Sequence, residues 1–291
     1  MTGPILVMGA TGTVGAPTLR ALRDMGAEAA GFTRDPRRAA DLLGKEVRVI
    51  AGDLADEASV RCALEGMDGV LLCSGHDPAM LEQQLAAVRA IGASDVRRVV
   101  KISASPVAAA ADSPARTGRD HFTIEEALRA SRPEAVVLRP NVFMQNFLEQ
   151  AVAVGHGALP GPGGEPRVSF VDARDVGRVA AVALVADEAP EPVLEVTGPE
   201  ALTWFDVAAM LSAVLGRSIT HYPTPPDVIR QGMLALGHPE WLIEHLLELG
   251  ALLSEPKAAE ITDTVPRLTG RLPTGLPEFL AEHLAAFPAA A

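Results

Sequence analysis

The apolar positions of this chain fall into short continuous runs that alternate with stripes of three- and four-residue spacing. The runs at 5–8, 27–33, 47–50, 70–73, 99–102 and 135–138 predict strands. Residues 17–25, 36–43, 56–64, 81–92 and 118–130 predict the helices between them. Leu81, Leu85, Val88 and Ile91 share one helical face, and that stripe stops at Gly92. Pro17 suits a first helical turn and Gly26 a C-terminal cap. Residues 104–117 are small and polar, with Pro106 and Pro114, and read as a loop. Regular strand–helix alternation predicts an α/β fold. The expected form is a doubly wound, mostly parallel sheet with right-handed crossovers and helices on both faces.

Past residue 141 the pattern changes. Residues 141–154 read as helical or irregular, and 155–166 as a Gly/Pro-rich loop, either a lid or an exposed connection. A strand is expected at 168–171, then a helix to 186 capped by Asp175, then a strand at 193–196. Thr203 and Asp206 form a capping pair for a helix over 204–215 that Gly216 ends. A small strand at 219–222 and helices at 227–236, 240–252 and 277–287 complete the chain. The expected division is a nucleotide-binding domain over 1–155, continuing through parts of 168–200. A small, mainly helical subdomain over 201–291 would wall the substrate side of the cleft.

The first strand runs into G-A-T-G-T-V-G, with Gly9, Gly12 and Gly15 between a strand and a helix. Gly9 allows the tight turn, Gly12 lets a pyrophosphate approach the backbone, and Gly15 lets the helix pack closely on the sheet. The helix start then offers N–H groups and partial positive charge to phosphates. In doubly wound sheets ligands bind outside the carboxyl ends of the strands. That rule selects 9–15, Arg34, Asp53, 73–76, 103–105 and 140–143. An acid after the second strand suits a ribose 2′-hydroxyl, whereas Arg34, with Arg37 and Arg38 nearby, suits a 2′-phosphate. NADP(H) is therefore favoured over NAD(H). Asp53 would accept from an adenine amino group or cap the helix after it.

Composition narrows the partners. A net charge of −12 argues against nucleic acid or an anionic membrane as partner, though a local basic pocket remains open. Cys62 and Cys73 alone make no disulfide framework, and no positively charged leader precedes the first strand, so a cytoplasmic setting is expected. The longest purely apolar run, 179–186, is far too short to span a bilayer. Lysine occurs only at 45, 101 and 257 beside abundant Arg and Ala, which fits a G+C-rich bacterial genome. No Cys/His/Asp/Glu cluster has metal-ligand spacing, so no metal is expected. The expected partner is a small molecule, with a homodimer left open.

The segments I-L-V-M-G-A-T-G-T-V-G, G-F-T-R-D-P, A-G-D-L-A-D, V-V-K-I-S-A, V-L-R-P-N-V-F-M-Q-N-F, F-V-D-A-R-D-V and L-E-V-T-G-P-E-A-L-T resemble the NmrA-like branch of the atypical short-chain dehydrogenase/reductase superfamily. The resemblance extends over nearly the whole chain and implies a Rossmann-type sheet with bound NAD(P). By position it gives Gly9, Thr11, Gly12, Thr13, Val14 and Gly15 to the pyrophosphate and Arg34 to the 2′-phosphate. It sets Asp53 and Leu54 beside the adenine, and Cys73, Ser74 and Gly75 along the ribose. Ser103, Pro140, Asn141 and Phe143 fall at the nicotinamide end.

Ordinary members of the superfamily use a Tyr four residues before a Lys to handle the substrate proton. Here the single tyrosine is Tyr222, and Pro occupies position 226. On the helix after the fifth strand stand His121 and Glu125, one turn apart. Either Glu125 orients His121 as a general acid, or the two form an ordinary pair on a solvated face. Ser103 is a second catalytic candidate, able to bond a substrate carbonyl. His76 and His156 are weaker ones, and Phe143, Met144 and Phe147 would stack on a flat substrate or fill the core. This branch resembles quinone and azo-type NADPH reductases and also non-catalytic redox sensors. The reading carried forward is an NADPH-dependent reductase of a quinone or conjugated carbonyl. The rivals are a dinucleotide-sensing regulator and a secondary-metabolite tailoring enzyme.

Overall fold

The computed structural model describes residues 3–44, 46–75 and 77–288. Its strands are β1 (Ile5–Met8), β2 (Ala29–Thr33), β3 (Arg48–Ala51), β4 (Gly69–Leu72), β5 (Arg98–Ile102), β6 (Glu134–Pro140), β7 (Ala158–Gly161), β8 (Val193–Val196) and β9 (Thr220–Pro223). The first helices are α1 (Gly15–Asp24), α2 (Pro36–Leu43), α3 (Glu57–Leu64), α4 (Met80–Gly92) and α5 (Arg116–Arg129). They are followed by α6 (Asn146–Glu149), α7 (Ala151–Gly155), α8 (Ala173–Val185), α9 (Trp204–Leu215), α10 (Pro226–Ala235), α11 (Glu240–Leu252), α12 (Thr264–Thr269) and α13 (Leu276–Glu282).

Seven strands form one parallel sheet in the order β3-β2-β1-β4-β5-β6-β8. The chain is thus an α/β protein of Rossmann type, as the alternation predicts. The order reverses between β1 and β4, which opens a crevice at the carboxyl edge of those two strands. β1 shows why the sheet is buried on both faces. Ile5 and Val7 face Leu19, Leu22, Val176 and Val179, while Leu6 and Met8, beside Val70 and Leu72 of β4, face Val88 and Ile91 on the other side. A third core of Met144, Phe147, Phe170, Trp204, Leu211 and Phe279 lies beyond β6. Phe170 stands edge-on to both Phe147 and Trp204.

The second half departs from expectation in several places. Residues 168–171 form only isolated bridges, Val168 to Leu202 and Phe143 to Val171. The Gly/Pro-rich stretch contains β7, which pairs in parallel with β9 in a separate two-stranded sheet. β6 continues through Pro140, whose missing N–H falls at the strand's last position. Asp172, rather than Asp175, caps α8, accepting from the Arg174 N–H at 2.8 Å. Asp175 is buried instead and accepts from the Thr274 N–H at 2.8 Å. The Thr203–Asp206 capping box and the left-handed Gly216 stand as expected. Among the described residues no helix is long and apolar enough to cross a membrane.

Candidate functional site

All the predicted strand-end residues follow parallel strands, so they share the carboxyl edge of the sheet. The loop after β1 is shaped by its own backbone. Gly9 has φ +66°, and a Cβ there would stand 2.7 Å from the Cys73 carbonyl oxygen. A Cβ on Gly15 would stand 2.1 Å from the Gly9 carbonyl oxygen, so neither position tolerates a side chain. Gly12 differs. A Cβ there meets only the Gly9 oxygen, at 3.1 Å, and otherwise open space. Gly12 and Thr13 are exposed, Thr11 is half-buried, and Val14 is buried. No side chain caps the start of α1. The loop therefore presents bare backbone and a helix N-terminus outward, which fits the pyrophosphate of a dinucleotide.

Arg34 follows β2 and is exposed, as are Arg37 and Arg38. Asp35 caps α2, accepting from the N–H groups of both Arg37 and Arg38 at 3.0 Å. Asp53 does not cap α3; that role falls to Asp56. The Asp53 carboxylate accepts the Ala55 N–H at 3.0 Å, and Asp53 and Leu54 remain half-buried at the strand end. Cys73 and Ser74 are half-buried and Gly75 exposed; His76 lies outside the described residues. At β6 the Asn141 amide turns inward, donating to Ser169 Oγ and the Ala258 carbonyl, both at 2.8 Å. Phe143 is half-buried and packs against the hydrophobic core on one face of the sheet, whereas Met144 and Phe147 are fully buried core residues. His156 is exposed after α7.

The expected His121–Glu125 unit takes a different form. Both side chains are buried rather than solvated, because this face of α5 packs on β5 and β6. One turn separates them, which sets Glu125 over Arg139 of β6. Arg139 forms a two-pronged pair with it at 2.6 and 3.1 Å, and Ser103 Oγ donates to Glu125 at 2.5 Å. His121 Nδ1 lies 3.0 Å from Lys101 Nζ. Ser103 is thus a buried donor to Glu125 at the end of β5.

Lys101 is the functional candidate that sequence reasoning missed. It is fully buried on β5 and donates to Gln84 Oε1 at 2.8 Å and to the Ile102 carbonyl at 3.0 Å. Gln84, itself buried on α4, donates to Ser74 Oγ at 2.8 Å. Burial lowers the Lys101 ammonium to about 7, against the opposing pull of Cys73 and Glu125. Burial likewise pushes the Cys73 thiol up to about 11. The sequence held one signal of this: a lysine inside an otherwise apolar strand, V-V-K-I.

The C-terminal helices reach this side of the sheet. His245 Nδ1 of α11 lies 2.7 Å from Thr117 Oγ1 of α5, and Glu248 accepts the Arg116 N–H at 2.8 Å. Asp77, Arg116, Trp241 and His245 line a pocket between α11, α5 and the loop after β4. Among the described residues no group of three His, Cys, Asp or Glu side chains is placed to hold a metal.

A parallel sheet with a switch point between β1 and β4, a bare glycine loop and a buried polar network at the same edge define a Rossmann-type fold. The chain belongs to the NmrA-like family, whose model matches residues 1–280. It is 34% identical to an NAD(P)H azoreductase of Xenophilus azovorans, over 98% of this chain and 100% of that one. It is 33% identical to a (4-alkanoyl-5-oxo-2,5-dihydrofuran-3-yl)methyl phosphate reductase of Streptomyces griseus, over 97% and 99% of the two chains. The fold matches a solved NADPH-dependent quinone oxidoreductase of Escherichia coli in complex with NADPH. The TM-score is 0.86 at 24% identity, covering 97% of this chain and 99% of that one.

Proposed function

We propose that this chain is an NADPH-dependent reductase that acts on a small electron-poor acceptor, such as a quinone, an azo compound or a conjugated carbonyl. The observation that carries the reading is the cradle after β1, where only Gly12 of the three glycines opens outward beside an uncapped helix. Two relatives of at least 33% identity, named as reductases and matched nearly end to end, support it. Gly9, Thr11, Gly12, Thr13, Val14 and Gly15 would hold the pyrophosphate, and Arg34 the 2′-phosphate that distinguishes NADP from NAD. Asp53 and Leu54 would border the adenine. Cys73, Ser74 and Gly75 would border the ribose, and Ser103, Pro140 and Phe143 the nicotinamide. Asn141 would act through backbone placement, since its amide is engaged inside the protein.

Bound there, the reduced coenzyme supplies a hydride. The chain's task is to hold the acceptor against it and exclude water. Residues 201–291, through α11, would form the acceptor's outer wall. Tyr222, the single tyrosine, lies exposed on β9. Quinones and similar acceptors yield stabilised anions on reduction, so they depend less on a strong acid.

Steady-state loss of reduced-nicotinamide absorbance tests the reading, with NADPH or NADH and a panel of quinones, azo dyes and enones. Turnover with a lower KM for NADPH supports it. Binding of NADPH without turnover of any acceptor overturns it in favour of a sensor, which would then have to bind oxidised and reduced coenzyme unequally.

A further inference from the structure

We propose that Gln84 and Lys101 are positioning residues that fix the direction of the Ser74 hydroxyl, so that Ser74 donates its hydrogen bond to an oxygen of the bound coenzyme. This inference rests on the coenzyme-binding reading of the cradle and adds the polarity of one contact to it. The chain of bonds runs one way. Lys101 Nζ lies 2.8 Å from Gln84 Oε1. An ammonium only donates and an amide oxygen only accepts, so this bond sets which end of the Gln84 amide faces β5. Turned the other way, the amide would set its NH2 group against the donors of the lysine. Gln84 Nε2 therefore points toward the loop after β4 and donates to Ser74 Oγ at 2.8 Å. Ser74 accepts from inside the protein, and its own proton is left for another partner.

Ser74 stands where a dinucleotide would pass. It follows β4, one of the two strands between which the sheet order reverses. Cys73, the residue before it, touches the glycine loop: its carbonyl oxygen lies 2.7 Å from where a Cβ on Gly9 would stand. Ser74 itself is half-buried. Among the described residues its proton has one acceptor, the Gly75 carbonyl at 3.3 Å, long for an O–H···O bond. The ribose that Cys73, Ser74 and Gly75 would border carries hydroxyl oxygens able to accept it at a shorter distance.

Both supports are buried, Gln84 on α4 and Lys101 on β5, so each acts through Ser74 rather than on the coenzyme. Apolar side chains at these two positions would avoid the desolvation of an amide and an ammonium. They would also leave the serine hydroxyl free to rotate, with no donor to hold its oxygen inward.

A double-mutant cycle read in NADPH affinity by calorimetry tests this. Ser74→Ala removes the donor and should weaken NADPH binding by roughly fivefold to tenfold. Gln84→Glu keeps the shape, and its carboxylate accepts from Lys101 and from Ser74 at once, so the serine proton turns inward. NADPH binding should weaken to a similar degree, and the double variant should bind no more weakly than Ser74→Ala alone. Repulsion between a new carboxylate and the coenzyme phosphates would persist without Ser74, so the two losses would instead multiply. Lys101→Met gives a second cycle. It releases the Gln84 amide, and the loss it causes should likewise vanish in the Ser74→Ala background. A merely structural role for either support would lower thermal stability and cost the same factor in both backgrounds. Thermal unfolding beside the wild type checks folding, and if one support variant does not fold, the other carries the cycle. Ser74→Ala binding as tightly as the wild type, or losses that multiply, overturns the positioning role and leaves the coenzyme reading intact. A wild type that binds neither NADPH nor NADH overturns the coenzyme reading and this inference with it.

Discussion

Replacing Lys101 by Met exposes how strongly the fold opposes a charge at that position. The two side chains are similar in length and volume, so the substitution removes charge with little change in packing. The lysine is fully buried, with its Nζ ringed by Gln84, the Ile102 carbonyl and His121. Burial lowers it from 10.5 to about 7, a span worth roughly 5 kcal/mol between charged and neutral forms. Below about pH 7 the lysine is charged in folded and unfolded chains alike, and the folded state bears the desolvation in full. Between about 7 and 10.5 the unfolded chain keeps a proton that the folded chain has released, so wild-type stability rises with pH. The Met variant has no such group. The stability of wild type relative to Lys101→Met should therefore climb by about 1.4 kcal/mol per pH unit across that window. Urea denaturation of both proteins at several pH values between about 6 and 10 measures it. A flat difference would refute the claim that Lys101 is a buried, destabilised ammonium.

Further outcomes follow from the same structure. Arg34→Glu should weaken NADPH binding by roughly tenfold or more and alter NADH binding far less, since only NADPH carries the 2′-phosphate; fluorescence titration with both coenzymes checks this. Glu125→Ala should destabilise the fold by about 3 kcal/mol or more, because it strands the half-buried Arg139 guanidinium and the buried Ser103 hydroxyl. Thermal unfolding beside Glu125→Gln, which keeps the shape but not the charge, separates ion pairing from packing.

Much of the first half of the fold was legible because its elements are specified locally. β1 is continuously apolar, α4 carries a clean stripe, and Gly9, Gly12 and Gly15 each sit where the backbone leaves no alternative or faces outward. The capping box at Thr203 was equally local. Legibility fell where tertiary contact decides. Residues 168–171 look like a strand, yet they bridge to Leu202 and Phe143 without a ladder. Asp175 looks like a cap, but Asp172 reaches the helix start first and Asp175 turns inward to Thr274. Spacing alone joined His121 to Glu125. The arrival of β5 and β6 beneath α5 assigns Glu125 to Arg139 and Ser103, and His121 to Lys101. Sequence separation hides such partners: Lys101, Gln84 and His121 lie on three different elements.

The claim on which the rest depends is that a pyridine dinucleotide lies against the loop after β1. Calorimetric titration of NADPH into the wild type and into Gly12→Val tests it most directly. Gly12→Val adds bulk where a Cβ stands 3.1 Å from the Gly9 carbonyl oxygen and otherwise meets open space, and thermal unfolding beside the wild type checks that the variant is folded. Saturable binding to the wild type, weakened by roughly tenfold or more in the variant, is the expected result. A wild type with no affinity for NADPH or NADH, or a variant that binds as tightly as the wild type, would contradict it.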